Sequence, residues 1–337
     1  MSVSIPDQER PIFIVGSPRS GTTLLRNMLN RHPAIAICRA TDYYHYVYLR
    51  RKSFGDLSDA GNRRRLVKEF LGLQRIQRMQ VDLEALEPIL LREGVSYPAF
   101  FACLWRYYAQ VHGKRRCGEK NARHAMFTET LCEWYPGAHI LHLVRDPRDV
   151  VASLLRMPFA PHNVIGAARM WLAHNLAALR SSGRPQYLPV RYEQLVTDPD
   201  GELKRICSFV GEDYSPAMLI PNQDSTADRP WLHRAQEPVT AQRMQKWREE
   251  LSAEDVSLAE WTIGSSMKVF EYEPAGRPPS VTALARGLAS GVVDALRRRA
   301  GEFPGALYFV LRSRQLVKEE TAKERFRNRS WTSSVGG

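Results

Sequence analysis

The sequence predicts an α/β fold, a central parallel sheet flanked by helices, and three observations carry that expectation. Four short apolar or β-branched runs, Ile12–Val15, Ile35–Cys38, His139–Val144 and Tyr187–Arg191, are each followed by helical periodicity. That is the pattern of buried parallel strands covered by helices on both faces. The first run breaks into a glycine-bounded turn, Gly16 to Gly21, and resumes as a helix with Leu24, Leu25, Met28 and Leu29. The stretch from Tyr43 to Arg116 shows no strong strand signal. Its apolar residues (Leu66, Phe70, Leu71, then Phe100, Leu104, Tyr107, Tyr108, Val111) fall at helical spacing, so a helical insertion is expected there.

Strand, glycine-bounded loop and helix together build a phosphate cradle, because successive backbone N–H groups and the helix N-terminus point at one anion. The spacing from Gly16 to Gly21 fits a Walker A loop, except that Thr22 stands where the lysine belongs. A P-loop NTPase-like three-layer fold is therefore expected, without the lysine that holds β- and γ-phosphates. Arg19 is the cation offered instead, so the loop reads as the holder of a smaller anion at one end of a nucleotide. A glycine-rich turn with no ligand is the plain alternative.

The second anion signal is Leu141-His-Leu-Val-Arg-Asp-Pro-Arg-Asp-Val-Val-Ala-Ser153. A strand ends at Val144; Asp146 before Pro147 is an N-cap followed by a favourable first helical residue. Asp149 sits in the first turn, where a carboxylate favours the helix dipole. Arg145 is left at a strand end and Ser153 about two turns on, a guanidinium and a hydroxyl suited to a phosphate monoester. An arginine that merely pairs with its neighbouring aspartates is the alternative. Regular order returns over Val239–Tyr272, Gly276-Arg-Pro-Pro-Ser280 reads as a linker, and a basic, helix-leaning tail follows. One domain over residues 1–275 and a linker with tail over 276–337 are expected.

Composition narrows the class. The chain has 337 residues, 44% hydrophobic and 25% charged, enough to bury a full core, as a soluble globular chain does. No apolar run reaches the roughly 18 residues of a membrane span, and residues 1–10 lack the basic and apolar regions of a signal peptide. Five cysteines are scattered with no C-x-x-C pair, which indicates neither a zinc site nor a disulfide framework and fits a reducing cytoplasm. The formal net charge of +12 suits an anionic ligand, an acidic acceptor or anionic lipid. No nucleic-acid-binding motif is found.

Gly16-Ser-Pro-Arg-Ser-Gly-Thr-Thr-Leu24 followed by Asn30-Arg-His-Pro33 resembles the 5′-phosphosulfate loop of sulfotransferases that use 3′-phosphoadenosine 5′-phosphosulfate (PAPS), above all the bacterial and tyrosylprotein-type branch. The resemblance implies that Arg19, Ser20, Gly21, Thr22 and Thr23 surround the 5′-phosphate and sulfuryl group, with PAPS as co-substrate and no metal. The Arg145 to Ser153 segment is similar to the same family's 3′-phosphate motif. Cys117-Gly-Glu-Lys-Asn-Ala-Arg123 resembles its G-[ED]-K-[TN]-P stretch, with Ala122 where Pro is frequent. Lys120 then matches the lysine beside the sulfuryl group, where an ammonium stabilises charge on the leaving oxygen; a surface Glu119–Lys120 pair is the alternative. Val190-Arg-Tyr-Glu-Gln-Leu-Val196 resembles the Y-E-x-L segment, which puts Tyr192 by the co-substrate unless it is simply core. Pro238-Val-Thr-Ala-Gln-Arg-Met-Gln-Lys-Trp-Arg248 looks like the closing segment, in which Arg243, Trp247 or Arg248 covers the 3′-phosphate. The likeness spans roughly residues 11–275.

The resemblance departs at the catalytic base. Relatives place a glutamate after the second strand, but in Ile37-Cys-Arg-Ala-Thr-Asp-Tyr-Tyr-His45 that position is Ala40. Asp42 and His45 are the nearest replacements, His124 is an outsider, and an acidic acceptor could dispense with a base. The expected activity is sulfuryl transfer from PAPS to a hydroxyl of a small molecule, glycan, glycolipid or phenol. A P-loop small-molecule kinase and a nucleotide binder without catalysis are the alternatives. In the tail, Arg297-Arg298-Arg299, the apolar run from Phe303 to Leu311 and the basic residues from Arg312 to Arg329 would suit an anionic membrane surface. That gives a cytoplasmic protein, peripheral at the inner membrane surface if the tail binds. Docking of the run onto the catalytic domain is the competing expectation.

Overall fold

The computed structural model describes residues 10–158, 160–221 and 240–299, with side chains up to residue 290. Along the chain, β1 (Ile12–Gly16) leads into α1 (Thr22–Asn30) and β2 (Ile35–Cys38). Helices alone follow: α2 (Tyr43–Tyr46), α3 (Arg51–Phe54), α4 (Ala60–Leu71), α5 (Gln74–Gln77), α6 (Leu83–Glu93) and α7 (Tyr97–Val111). Next come β3 (Arg116–Lys120), α8 (Thr128–Trp134), β4 (His139–Val144), α9 (Pro147–Leu154), α10 (Val164–Leu179) and β5 (Tyr187–Arg191). The described chain ends with α11 (Tyr192–Thr197), α12 (Pro199–Val210), α13 (Trp247–Glu250), α14 (Ala253–Ile263), α15 (Ser266–Val269) and α16 (Val281–Arg299).

The five strands form one parallel sheet of order β2-β3-β1-β4-β5, flanked by helices in the P-loop NTPase-like arrangement. Ile12 pairs with Gly118 and Ile35 with Arg116. The four apolar runs are strands, as the pattern predicts. Strand β3 is the correction, since Arg-Cys-Gly-Glu-Lys carries no strand signal. It forms because it is bonded on both sides, by β1 and by β2. Gly118 admits that closeness: a Cβ there would lie 1.9 Å from the Ile12 carbonyl oxygen. Arg116 is fully buried, and its guanidinium donates to the Val210 and Arg10 carbonyls and pairs with Glu212 at 2.7 Å.

The described residues divide into two compact units, residues 10–15, 22–141 and 199–221 in the first, and 16–21, 142–198 and 240–299 in the second. In the first unit the helical stretch between β2 and β3 starts its helices with side-chain caps. Asp59, Asp82 and Ser96 accept first-turn N–H groups of α4, α6 and α7. The stretch then packs aromatic on aromatic, with Tyr43 stacked on Phe101 at 4.5 Å and Phe101 on Phe13 of β1 at 6.0 Å. The second unit's core joins Val144, Val150, Val151 and Leu154 to Trp171 on α10, Leu258 on α14 and Phe270. Helix α16, beyond the Gly276–Ser280 linker, packs on α10 and α14. A Cβ at its Gly287 would sit 2.8 Å from Leu258 and 2.9 Å from Ile165. The Phe303–Leu311 run and the basic residues after it lie outside the described residues, as do Pro238 and Val239. No helix among the described residues is long and apolar enough to cross a membrane.

Candidate active site

Two clusters of polar side chains account for the residues singled out in the sequence, one in each unit. The cluster in the second unit begins with the turn after β1. Gly16 (φ 149°) and Gly21 (φ 98°) adopt backbone conformations that L side chains avoid. A Cβ at Gly16 would come within 2.3 Å of the Leu143 carbonyl oxygen, and one at Gly21 within 2.5 Å of the Tyr192 ring. Arg19 is also left-handed (φ 74°), a conformation that costs a non-glycine residue roughly 1–3 kcal/mol. Its Nε donates to Ser153 Oγ at 3.0 Å, so the two anion motifs, 134 residues apart, meet in one contact. Ser20 is fully buried and its hydroxyl has no hydrogen-bond partner among the described residues.

Arg145 leaves β4 beside the N-terminus of α9. Trp171 Nε1 donates to its carbonyl at 3.0 Å and so ties the exit of the strand to α10. Asp146 caps α9 through Arg148 N–H, as the Asp-Pro pair predicts, and pairs with the Arg148 guanidinium at 2.7 Å. The Arg145 guanidinium lies 4.3 Å over the Tyr192 ring and 3.3 Å from Asp149 Oδ2, and it donates to the Arg243 carbonyl at 2.5 Å. Its Nε is buried without a partner. Asp149 does more than favour a dipole. Its carboxylate accepts the Gln245 and Trp247 N–H groups, each at 3.0 Å, and so clamps the closing segment beside Arg145. Burial pushes the Asp149 carboxyl up, with Arg145 pulling the other way, and burial likewise raises the Tyr192 phenol. Of the two arginines left open, Arg243 is the one beside Arg145. Arg248 is exposed, bonded to Gln245 and stacked over Trp247.

The cluster in the first unit begins where the loop enters α1. Thr22 is buried, and Thr23 Oγ1 lies 3.2 Å from Lys120 Nζ at the end of β3. Around Lys120 the polar side chains contact one another, although Asp42 Oδ2 and Glu119 Oε2 make no hydrogen bond among the described residues. Glu119 accepts Thr41 N–H and hydroxyl at 2.5 and 2.8 Å, and Asn121 donates to Asp42 at 3.0 Å. Asp42, buried and left-handed (φ 53°), lies 2.8 Å from the Arg75 guanidinium and 3.6 Å from that of Arg123. Burial alone would raise its carboxyl; Arg75 and then Arg123 outweigh that and hold it at about 2. A carboxylate so stabilised is a weak proton acceptor, which argues against Asp42 as a general base. The sequence placed Asp42 near the reaction but could not show that two distant arginines claim it. His45, the third residue of α2, is half-buried, with both ring nitrogens buried and its ring edge on Phe127. Among the described residues, no group of three or more histidines, cysteines and carboxylates is arranged to hold a metal ion.

The fold is that of a P-loop-like α/β protein whose loop lacks the Walker lysine. The chain belongs to the sulfotransferase family, whose model matches residues 11–216. It is 27% identical over 321 residues to nodulation protein NoeE of Sinorhizobium fredii (strain NBRC 101917 / NGR234), covering 84% of this chain and 68% of that one. It is 25% identical over 297 residues to the protein-tyrosine sulfotransferase of Drosophila melanogaster, covering 81% of this chain and 54% of that protein. In structure it resembles the sulfotransferase domain from the Synechococcus PCC 7002 olefin synthase. The TM-score is 0.52 at 25% identity, over 78% of this chain and 98% of that one. The chain is thus a sulfotransferase.

Proposed function

We propose that the enzyme transfers the sulfuryl group of PAPS to a hydroxyl of its acceptor and releases adenosine 3′,5′-bisphosphate. The observation that carries this reading is the Arg19–Ser153 contact, which joins the two anion motifs, beside a buried Ser20 hydroxyl in the same loop that has no hydrogen-bond partner among the described residues. Backbone strain at Arg19 and an orphaned hydroxyl are what a loop shaped around ligand oxygens would show. In this reading Arg19, Ser20, Gly21, Thr22 and Thr23 hold the 5′-phosphosulfate. Arg145 and Ser153 hold the 3′-phosphate, with Tyr192 and Arg243 beside them. Arg248, engaged with Gln245, is the weaker candidate for that phosphate.

The acceptor oxygen forms the new S–O bond as the S–O bond to the leaving phosphate breaks, and the hydroxyl proton passes to a base. Lys120, held against Thr23, supplies positive charge where the leaving oxygen becomes negative. With Asp42 locked in its ion pairs, the role of base falls to His45, an imidazole being suited to proton transfer near neutrality. The tyrosine acceptor named for the Drosophila relative is one chemistry consistent with a phenol or alcohol oxygen.

Thermal unfolding with added nucleotide tests the reading. Adenosine 3′,5′-bisphosphate at 100 times its Kd should stabilise the fold by about 2.7 kcal/mol, while ATP with magnesium should do far less. Labelled sulfate should then move from PAPS to a phenol or alcohol acceptor. Equal stabilisation by both nucleotides, without transfer, would favour a kinase-like or non-catalytic binder instead.

A further inference from the structure

We infer that His124 is a positioning residue for sulfuryl transfer, the link that fastens together the two residues flanking Lys120. The inference rests on the role given to Lys120 above. At the exit of a strand, neighbouring side chains point to opposite faces. Lys120 reaches Thr23, while Glu119 and Asn121 turn to the other side, where His124 meets both. Its Nδ1 lies 3.2 Å from Glu119 Oε2 and its Nε2 lies 3.0 Å from Asn121 Nδ2.

The bonds around it fix its tautomer. Asn121 Oδ1 accepts the Arg123 N–H, and Asn121 Nδ2 donates to Asp42 Oδ1, so the amide has a single sensible orientation. Nδ2 therefore donates to His124 as well, Nε2 is the acceptor, and the ring proton sits on Nδ1 facing Glu119. The other Glu119 oxygen holds Thr41. Because Thr41 and Asp42 are consecutive, the hydrogen bonds Thr41–Glu119 and His124–Asn121–Asp42, with the 3.2 Å contact between Glu119 and His124, close into a ring that joins the turn after β2 to the exit of β3. Asn121 N–H adds a bond to the Ile14 carbonyl of β1.

The imidazole is 1% exposed and packed edge-on against Tyr44 (4.9 Å) and Phe101 (5.7 Å). It is closed off from solvent by these neighbours. Its effect passes through the backbone that carries Lys120, and catalysis is sensitive to displacements of an ångström or less.

A double-mutant cycle tests this. His124→Phe keeps the ring packing and removes both nitrogens. It should lower kcat for transfer from PAPS at least tenfold while the Kd for adenosine 3′,5′-bisphosphate stays within about twofold. In a Lys120→Ala background the same change should have no further effect on kcat, because the group it positions is gone. His124→Gln, which keeps a donor and an acceptor, should recover part of the loss. Additive losses in the two backgrounds, or a kcat unchanged per folded molecule, would overturn the inference. If His124→Phe fails to fold, Glu119→Gln replaces it in the cycle with the same expected outcomes. Wild-type protein that transfers nothing from PAPS would overturn the proposed function, and this inference with it.

Discussion

The cluster in the second unit and the cluster in the first are both rich in charge, yet they differ in what meets their buried polar groups. Around Lys120, Asp42 is met by Arg75 and Arg123, and Glu119 by Thr41 and His124. In the second unit the Ser20 hydroxyl and Arg145 Nε are buried without hydrogen-bond partners among the described residues and Arg19 is strained, whereas in the first unit Asp42 Oδ2 and Glu119 Oε2, also without hydrogen bonds, lie against Arg75 and His124. Buried polar groups are ordinarily satisfied, so leaving them open costs stability. A strained loop with an unpartnered hydroxyl suits a ligand, and carboxylates set against cations suit the holding of their own neighbours. The first kind should lose binding when altered, the second turnover.

The largest effect is expected at Lys120. Lys120→Ala should lower kcat roughly a hundredfold or more, with the Kd for adenosine 3′,5′-bisphosphate little changed. A loss carried mainly by Kd would erase the distinction between the clusters. The next is expected at Arg145. Arg145→Ala should weaken adenosine 3′,5′-bisphosphate by on the order of 1.5–3 kcal/mol, with adenosine 5′-phosphate much less affected, and Ser153→Ala should do the same more weakly. Titration calorimetry with both nucleotides measures this, and equal losses would remove Arg145 from the 3′-phosphate.

The smallest effect concerns stability and uses one histidine from each unit. Burial is the main reason that His139 and His142 are each lowered from 6.5 to about 4, with Arg116 and Arg10 adding to it at His139. The unfolded chain takes up protons below pH 6.5 that the folded chain refuses until about 4, so stability falls as pH falls through that window. By pH 5.5 the loss should be about 1 kcal/mol for each imidazole. Urea unfolding at pH 7 and 5.5 checks it, and His142→Gln should flatten the slope. A midpoint that does not move would show that these rings are not buried neutral.

Much of the frame was legible because its causes are local. An apolar run followed by helical spacing marks a buried strand wherever it lies, which is why β1, β2, β4 and β5 were readable. Asp146 before Pro147 caps a helix through atoms two residues away, and the turn from Gly16 to Gly21 announces itself by composition. Strand β3 was not readable, since its residues are polar and its stability comes from the neighbours on either side and from Glu212, about ninety residues downstream.

The same division between local and distant causes runs through the site. Sequence determined the kind of chemistry, through an anion loop without the Walker lysine and a second arginine motif at a strand end. Tertiary structure decided the state of each group. It made Asp42 a locked carboxylate, joined Arg19 to Ser153, turned Asp149 into a clamp on the closing segment and set His124 between Glu119 and Asn121. Charge state and orientation depend on partners within a few ångströms, and here several of those partners lie tens to more than a hundred residues away along the chain.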